Sequence, residues 1–320
     1  MRADSVFVRR LAADRGFNEA TLEKALRLLD VLNEMARHPY LRSRLALKGG
    51  TALNLFHWDV PRLSVDIDLN YIGAVALDQM QEERPVVVQA VNGIARAEGY
   101  RVQSGKSAHA LETFLLWYRS LSGAQDHVEV EINFLLRQCL FDPEVRRTTL
   151  AEPSVGTEFP VLVIEELMAG KLVALLDRVA PRDLYDAYRF VLSGESYDET
   201  RLRQAFVFLA TVGLPRPPWE YGPSRLSALT PDALERTLYP VLAAGERPKL
   251  EVMAETVTPL LAGLVDLQPA ERQFADSVLS GEPQPGLLFT GDAACSDRLA
   301  VNPALLWKVQ NVKRYLERGG

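Results

Sequence analysis

Two stretches of the chain alternate strictly between apolar and polar residues. From Leu63 to Leu69, Leu63, Val65, Ile67 and Leu69 fall on one side of an extended backbone, and Ser64, Asp66 and Asp68 on the other. From His127 to Phe134, Val128, Val130, Ile132 and Phe134 oppose His127, Glu129, Glu131 and Asn133. A period of two marks a half-buried strand. Further strand-like runs, Tyr100 to Ser104 and Thr113 to Arg119, alternate with helical periodicity over Leu22 to Arg37 and Val86 to Glu98. This order predicts a mixed sheet flanked by helices, an α/β (α+β) architecture, over residues 1–160. Over 161–320 nearly every periodic segment is helical. Ile164 to Val179 carries a stripe of Ile164, Leu167, Met168, Leu172, Leu175, Leu176 and Val179, and Pro181 opens another helix. Leu214 to Pro218, Gly222-Pro223 and Gly281 to Gly286 read as loops. In the last helix Asn302 is the expected cap, and a stripe of Leu305, Leu306, Val309, Val312 and Leu316 is expected to dock on the body.

Chemistry concentrates where the first alternating stretch begins. Gly49 and Gly50 permit a tight turn that exposes amide N–H groups, and Thr51 to His57 suits a short helix whose N-terminus favours phosphate. An ordinary strand-turn-helix connection has the same appearance. Asp66 and Asp68, two apart on a strand, point the same way and repel unless a cation or a proton intervenes. Mg²⁺, which takes carboxylate oxygens and brings substrate phosphates, is the usual remedy; the solvated face of an edge strand is the plainer one. If the second alternating strand lies beside the first, Glu129 or Glu131 adds a third acid and the set suits metal-dependent nucleotidyl transfer. Lys171 falls inside its helix's apolar stripe, so its ammonium either snorkels to water or meets a carboxylate or phosphate. Asp183, in the first turn of the following helix, complements the helix dipole, and Arg182 with Asp186 reads as an exposed i, i+4 pair.

Composition narrows the field. The 320 residues are 48% apolar and 24% charged, ordinary values for a globular chain with a substantial core. Cys139 and Cys295 lack a partner motif, which fits a reducing cytoplasm, and His38, His57, His109 and His127 show no ligand spacing. Met1-Arg2-Ala3-Asp4 opens no segment of signal length, and no apolar run approaches a membrane span. A net charge of -6 argues against a protein that coats nucleic acid. Local patches are expected at Arg42 and Arg44, at Arg137, Arg146 and Arg147, and at Lys308, Lys313 and Arg314, each equally readable as a solvated face.

Together, Lys48-Gly49-Gly50-Thr51, Arg62 to Leu69, Val130-Glu131-Ile132-Asn133, Gly170-Lys171-Leu172, Arg182 to Asp186 and Asn302 to Lys308 resemble the AbiEii/AbiGii family of nucleotidyltransferase toxins, which includes the MenT-type toxins of bacterial toxin-antitoxin systems. The resemblance spans most of the chain and rests on the order of short patches. It implies a nucleotidyltransferase fold, then a helical half that completes the active site. It also implies a nucleotide transferred from an NTP to an acceptor, in MenT-type members the 3′ end of tRNA, and a cognate antitoxin. By the same resemblance Asp66, Asp68 and Glu131 would bind Mg²⁺, Glu131 being preferred to Glu129. Lys48, Gly49, Gly50, Thr51, Arg62, Ser64, Lys171 and Asp183 would hold the nucleotide, and Asp183 or Asp186 would complete the site from the helical side. The family's first motif often reads Gly-Ser; here Thr51 keeps a hydroxyl near the turn. The rivals are an antibiotic-modifying nucleotidyltransferase, which needs an acidic pocket for a cationic acceptor, and a catalytically silent nucleotide- or partner-binding module, which has no need of a repulsive carboxylate cluster.

Overall fold

A computed structural model describes residues 5–105, 110–150 and 158–318; Met1 to Asp4 and His109 lie outside the described residues. The chain forms two compact units. The first comprises Met1–Val163 and Glu235–Arg247, and the second Ile164–Leu234 and Pro248–Gly320.

The first unit is built on one mixed sheet. Its strands are β1 (Leu45–Lys48), β2 (Asp66–Tyr71), β3 (Arg101–Ser104), β4 (Leu111–Arg119), β5 (Gln125–Asn133), β6 (Glu144–Arg147) and β7 (Glu158–Val161), in the order β3-β4-β5-β2-β1-β7-β6. β2 runs parallel to β5 and antiparallel to β1, so the two alternating stretches are neighbours at the sheet's centre. The helices of this unit are α1 (Ser5–Arg15), α2 (Glu19–Arg37), α3 (Gly49–Ala52) and α4 (Leu77–Ala97). α2 starts before its apolar stripe because the Asn18 side chain accepts from the Ala20 and Thr21 amides, at 3.0 and 3.2 Å. The stripe itself, including Leu22, Leu28, Leu32 and Met35, is fully buried. α4 begins well before the predicted Val86 and passes through Pro85. Its first two turns bury only Met80, so periodicity could not mark them.

Other departures also have local causes. β1 buries Leu45, Ala46 and Leu47 completely, so no alternation betrays it. β2 starts at Asp66, not Leu63, because the Leu63 amide leaves the sheet to donate to the Val241 carbonyl at 2.8 Å. That bond, with Ala244 N donating to Gly16 O at 2.6 Å, ties residues 235–247 to the first unit.

The second unit is helical: α5 (Ile164–Arg178), α6 (Pro181–Ser193), α7 (Glu199–Gly213), α8 (Pro231–Thr237, whose last residues belong to the first unit), α9 (Leu250–Val265), α10 (Pro269–Leu279), α11 (Ala293–Ala300) and α12 (Pro303–Glu317). α5 packs on α6 and α7, and α6 on α9. The proline-rich connections expected to be loops contain short 3-10 turns at Pro218–Glu220, Pro223–Ala228 and Pro285–Leu287. Asn302 caps α12, its side chain accepting from the Ala304 amide at 3.0 Å. The predicted stripe docks only in part. Leu305 and Val309 are buried, whereas Leu306 and Leu316 are about half exposed, at 49% and 51%. Among the described residues no helix is long and apolar enough to cross a membrane.

Candidate active site

The glycine turn and the first acid pair meet through β1 and β2. The antiparallel register sets Lys48 opposite Asp68. Gly49 then turns with φ at 72°, a left-handed conformation that favours glycine, and a Cβ there would run into the Asp68 carboxylate. The glycine is therefore what lets the turn lie against Asp68. Gly50 is equally confined: a Cβ would stand 2.6 Å from Arg62 Nη2 and 3.1 Å from Ser64 Oγ.

The predicted short helix starts two residues early. α3 runs into a π-helical turn at Leu53–His57, and no side chain caps its start at Lys48. The Thr51 hydroxyl does not face outward. It is fully buried and donates to the Asp66 carbonyl at 2.5 Å, fastening the turn to the strand. Ser64 does not share the exposed acidic face as its alternation implied; it is 6% exposed and packs under Gly50. Arg62 is buried beside it, donating to Leu63 O at 3.0 Å.

The adjacency that alternation could not prove is present. Parallel pairing sets Asp66 opposite Glu129 and Asp68 opposite Glu131. Strands lie about 4.8 Å apart, so four carboxylates share one face of two neighbouring strands. All four are partly exposed. Among the described residues no three His, Cys, Asp or Glu side chains converge into a ready-made metal cage. Mg²⁺ does not require one, since it keeps waters and is held by one or two carboxylates plus substrate phosphates. An all-oxygen donor set facing solvent fits that ion.

In the second unit the structure decides between the alternatives for Lys171. Its ammonium lies 3.0 Å from Asp183 Oδ1 and 3.0 Å from Asp186 Oδ2. Arg178 adds a two-pronged contact to Asp183, Nε to Oδ2 at 2.7 Å and Nη2 to Oδ1 at 3.0 Å. Asp186 is not on an exposed face as a surface pairing with Arg182 would have it: Asp183 and Asp186 are both at 0% exposure. Burial alone would raise the Asp183 carboxyl. Lys171 and Arg178 outweigh it and hold that pKa below the ordinary carboxylate range. Arg178 has no motif to mark it; its only local signal is its place in the last turn of α5, five residues before Asp183.

The basic groups are mostly spent on structure. Arg44 binds Glu83 at 2.7 Å, buried Arg137 donates to the Val75 and Phe134 carbonyls, Arg146 and Arg147 pair with Glu144 and Glu158, and Lys308 donates to the Leu214 carbonyl. Arg42, Lys313 and Arg314 remain exposed. His57 also serves the fold. Its Nε2 lies 3.1 Å from Leu162 O, and burial, helped by Arg146, lowers its pKa to about 4. Cys139 is buried and Cys295 partly exposed, and they form no disulfide with each other.

Comparison with known proteins bears on this geometry. The family model described as nucleotidyl transferase AbiEii toxin, type IV TA system, matches residues 30–276. Among curated proteins no sequence matches. The structure is similar to MenT4, a nucleotidyltransferase toxin from Mycobacterium tuberculosis H37Rv, with a TM-score of 0.62 and 19% identity over 95% of this chain and 98% of that one. It is also similar to JHP933 from Helicobacter pylori, with a TM-score of 0.50 and 16% identity over 78% of this chain and 93% of the other. At these identities the likeness shows a shared nucleotidyltransferase-like fold.

Proposed function

Since the chain belongs to the AbiEii family of nucleotidyl transferase toxins of type IV toxin-antitoxin systems, we propose that it transfers a nucleotide from an NTP to the 3′ end of tRNA, with Mg²⁺, and so blocks translation. The observation that carries the reading is the pairing of β2 with β5, which opposes Asp66 to Glu129 and Asp68 to Glu131, while the Gly49 turn lies against Asp68. A fold with no use for this repulsion would have little reason to place four carboxylates together.

Asp66 and Asp68 are the residues assigned to Mg²⁺, with Glu131 as the third. When bound, the ion supplies positive charge for the attacking and leaving oxygens of an in-line displacement. The chain's own contribution is placement. The uncapped start of α3 at Lys48, Gly49 and Gly50 offers amides to phosphate. Asp68, which lies against the turn, would hold the ion beside the phosphates. Glu131, opposite Asp68 on the neighbouring strand, would serve either as that third ligand or as the base that takes the proton of the acceptor hydroxyl. Arg62, Ser64 and Thr51 act from behind, fixing the turn on the strand. The family resemblance implies a triphosphate role for Lys171, which within the second unit is ion-paired with Asp183 and Asp186. A cognate antitoxin is the expected regulatory partner.

The test is incubation of the protein with each α-labelled NTP, Mg²⁺ and total tRNA. Label in RNA supports the proposal and names the donor base. Label confined to a small hydroxylated acceptor would make the protein a drug-modifying enzyme, and tight NTP binding without any transfer would make it a silent module.

A further inference from the structure

The sheet face that carries the acids continues past β5. Across β5 and β4, Glu129 opposes Leu115 and His127 opposes Trp117; across β4 and β3, Leu115 opposes Gln103 and Trp117 opposes Arg101. Residues opposite one another on a ladder share a face. Trp117 and Arg101 therefore lie on the same side of the sheet as Asp66 and Glu129. The other side is covered: α2 sends Arg27 over the buried Tyr118 ring, 4.2 Å from its centroid, and α4 sends Arg84 over Phe134, 4.9 Å from its centroid. The Trp117 side stays open, with Arg101 and Gln103 exposed and Leu115, Trp117 and His127 partly so.

Trp117 is held as a plate. Its Nε1 donates to Gln103 Oε1 at 3.0 Å, the His127 ring centroid lies 4.7 Å away at an interplanar angle of 42°, and the Arg101 guanidinium lies over the indole, 5.5 Å from its centroid. A part-exposed indole, oriented by a hydrogen bond and flanked by a cation, is the chemistry that receives an unpaired base and its phosphate.

Resting on the transferase reading above, we propose that Trp117 is a stacking platform for an unpaired base of the acceptor RNA strand, with Arg101 on the adjoining phosphate. Position favours acceptor over donor. The Gly49 turn follows β1, which flanks β2 on the side away from β5, whereas the platform is on β4 and β3. Trp117 stands two strands across and two residues along from Asp66, about 12 Å at ordinary strand spacings. The row thus runs from the phosphate-holding turn, through the acids, to the aromatic plate. A base stacked on the plate belongs to a nucleotide upstream of the reacting terminal hydroxyl.

The experiment uses the full chain and a short fluorescently labelled single-stranded RNA ending in CCA, without Mg²⁺ or NTP, so that binding is read apart from transfer. Trp117→Ala should weaken binding about tenfold to a hundredfold, the range expected from losing one base-aromatic stack. Trp117→Phe should keep affinity near wild type while abolishing the quenching of tryptophan emission by unlabelled RNA. Arg101→Gln should reduce the slope of log affinity against log salt by about 0.7. With tRNA and NTP, Trp117→Ala should raise KM for tRNA and leave KM for NTP unchanged. Unchanged RNA affinity in Trp117→Ala would overturn the platform, as would a rise in KM for NTP alone. Those results leave the transferase reading intact, whereas RNA binding quenched through Trp117 without any nucleotide transfer would sink that reading and spare the platform.

Discussion

Replacing Lys171 by methionine removes a charge while keeping a side chain of similar length, and the structure sets the size of the effect. The Lys171 side chain is 11% exposed, and its ammonium is 3.0 Å from each of two carboxylates whose side chains are at most 1% exposed. Asp183 would retain Arg178, but Asp186, wholly buried, would lose its ammonium. Removing one partner of a buried ion pair costs about 3–5 kcal/mol, because the charge left behind remains desolvated. Against a typical total of about 5–15 kcal/mol this is a large fraction. Urea unfolding of Lys171→Met should show a lower midpoint with an unchanged slope, and a loss of about 3 kcal/mol or more. Removing both charges, in Lys171→Met with Asp186→Leu, should recover most of that loss, since a buried pair replaced by apolar groups is often neutral. The cycle should then give a coupling of about 2 kcal/mol or more. A single variant within about 1 kcal/mol of wild type, or a double variant no better than the single, would refute the idea that this network holds the helical unit together.

Three further outcomes are expected. Asp68→Ala should leave a folded protein, by circular dichroism, that incorporates no labelled nucleotide; wild-type incorporation would remove Asp68 from the site. Gly49→Ala forces a left-handed conformation on alanine, about 1–2 kcal/mol, and drives its Cβ into the Asp68 carboxylate. It should lower stability by about 2 kcal/mol and nearly abolish transfer, so normal turnover would show that the turn does not set Asp68. Finally, His57 has a folded pKa of about 4 against about 6.5 when unfolded, so the unfolded chain binds the proton more readily. Stability from this residue is complete above pH 6.5, falls as pH drops towards 4 and is flat below, by about 3 kcal/mol at most. Asp183, with its depressed pKa, loses its contribution only below about pH 4. A His57→Gln variant should therefore flatten the stability profile between pH 6.5 and 4, and an unchanged slope there would count against a buried neutral imidazole.

Much of the candidate site was legible because it lies on regular backbone. Alternation placed Asp66 and Asp68 on one face and Glu129 and Glu131 on another, and both faces are as read. Lys171 declared itself by standing in an apolar stripe. The misreadings fall where a side chain's fate depends on something distant. Ser64 alternates correctly, yet Leu63 bonds to Val241 and the chain around it leaves the sheet, so Ser64 is buried. Asp186 reads as half of a surface pair with Arg182, yet it is wholly buried and Lys171 reaches it from the preceding helix. The stripe of α12 is periodic throughout, but Leu306 and Leu316 stay about half exposed while Leu305 and Val309 are buried.

The sequence by itself determined which residues share a face, because a strand's period of two and a helix's of 3.6 are properties of the local backbone. It also carried the glycine pair, the carboxylates and the ordering of motifs that matched a family. Tertiary structure alone decided that β2 lies parallel to β5 with Asp68 opposite Glu131, that Gly49 lies against Asp68, and that Trp117 extends the acidic face. Those facts depend on register between strands that are distant in the chain, Asp68 pairing with Glu131, and local periodicity contains no information about which partner, or which offset, a strand will take.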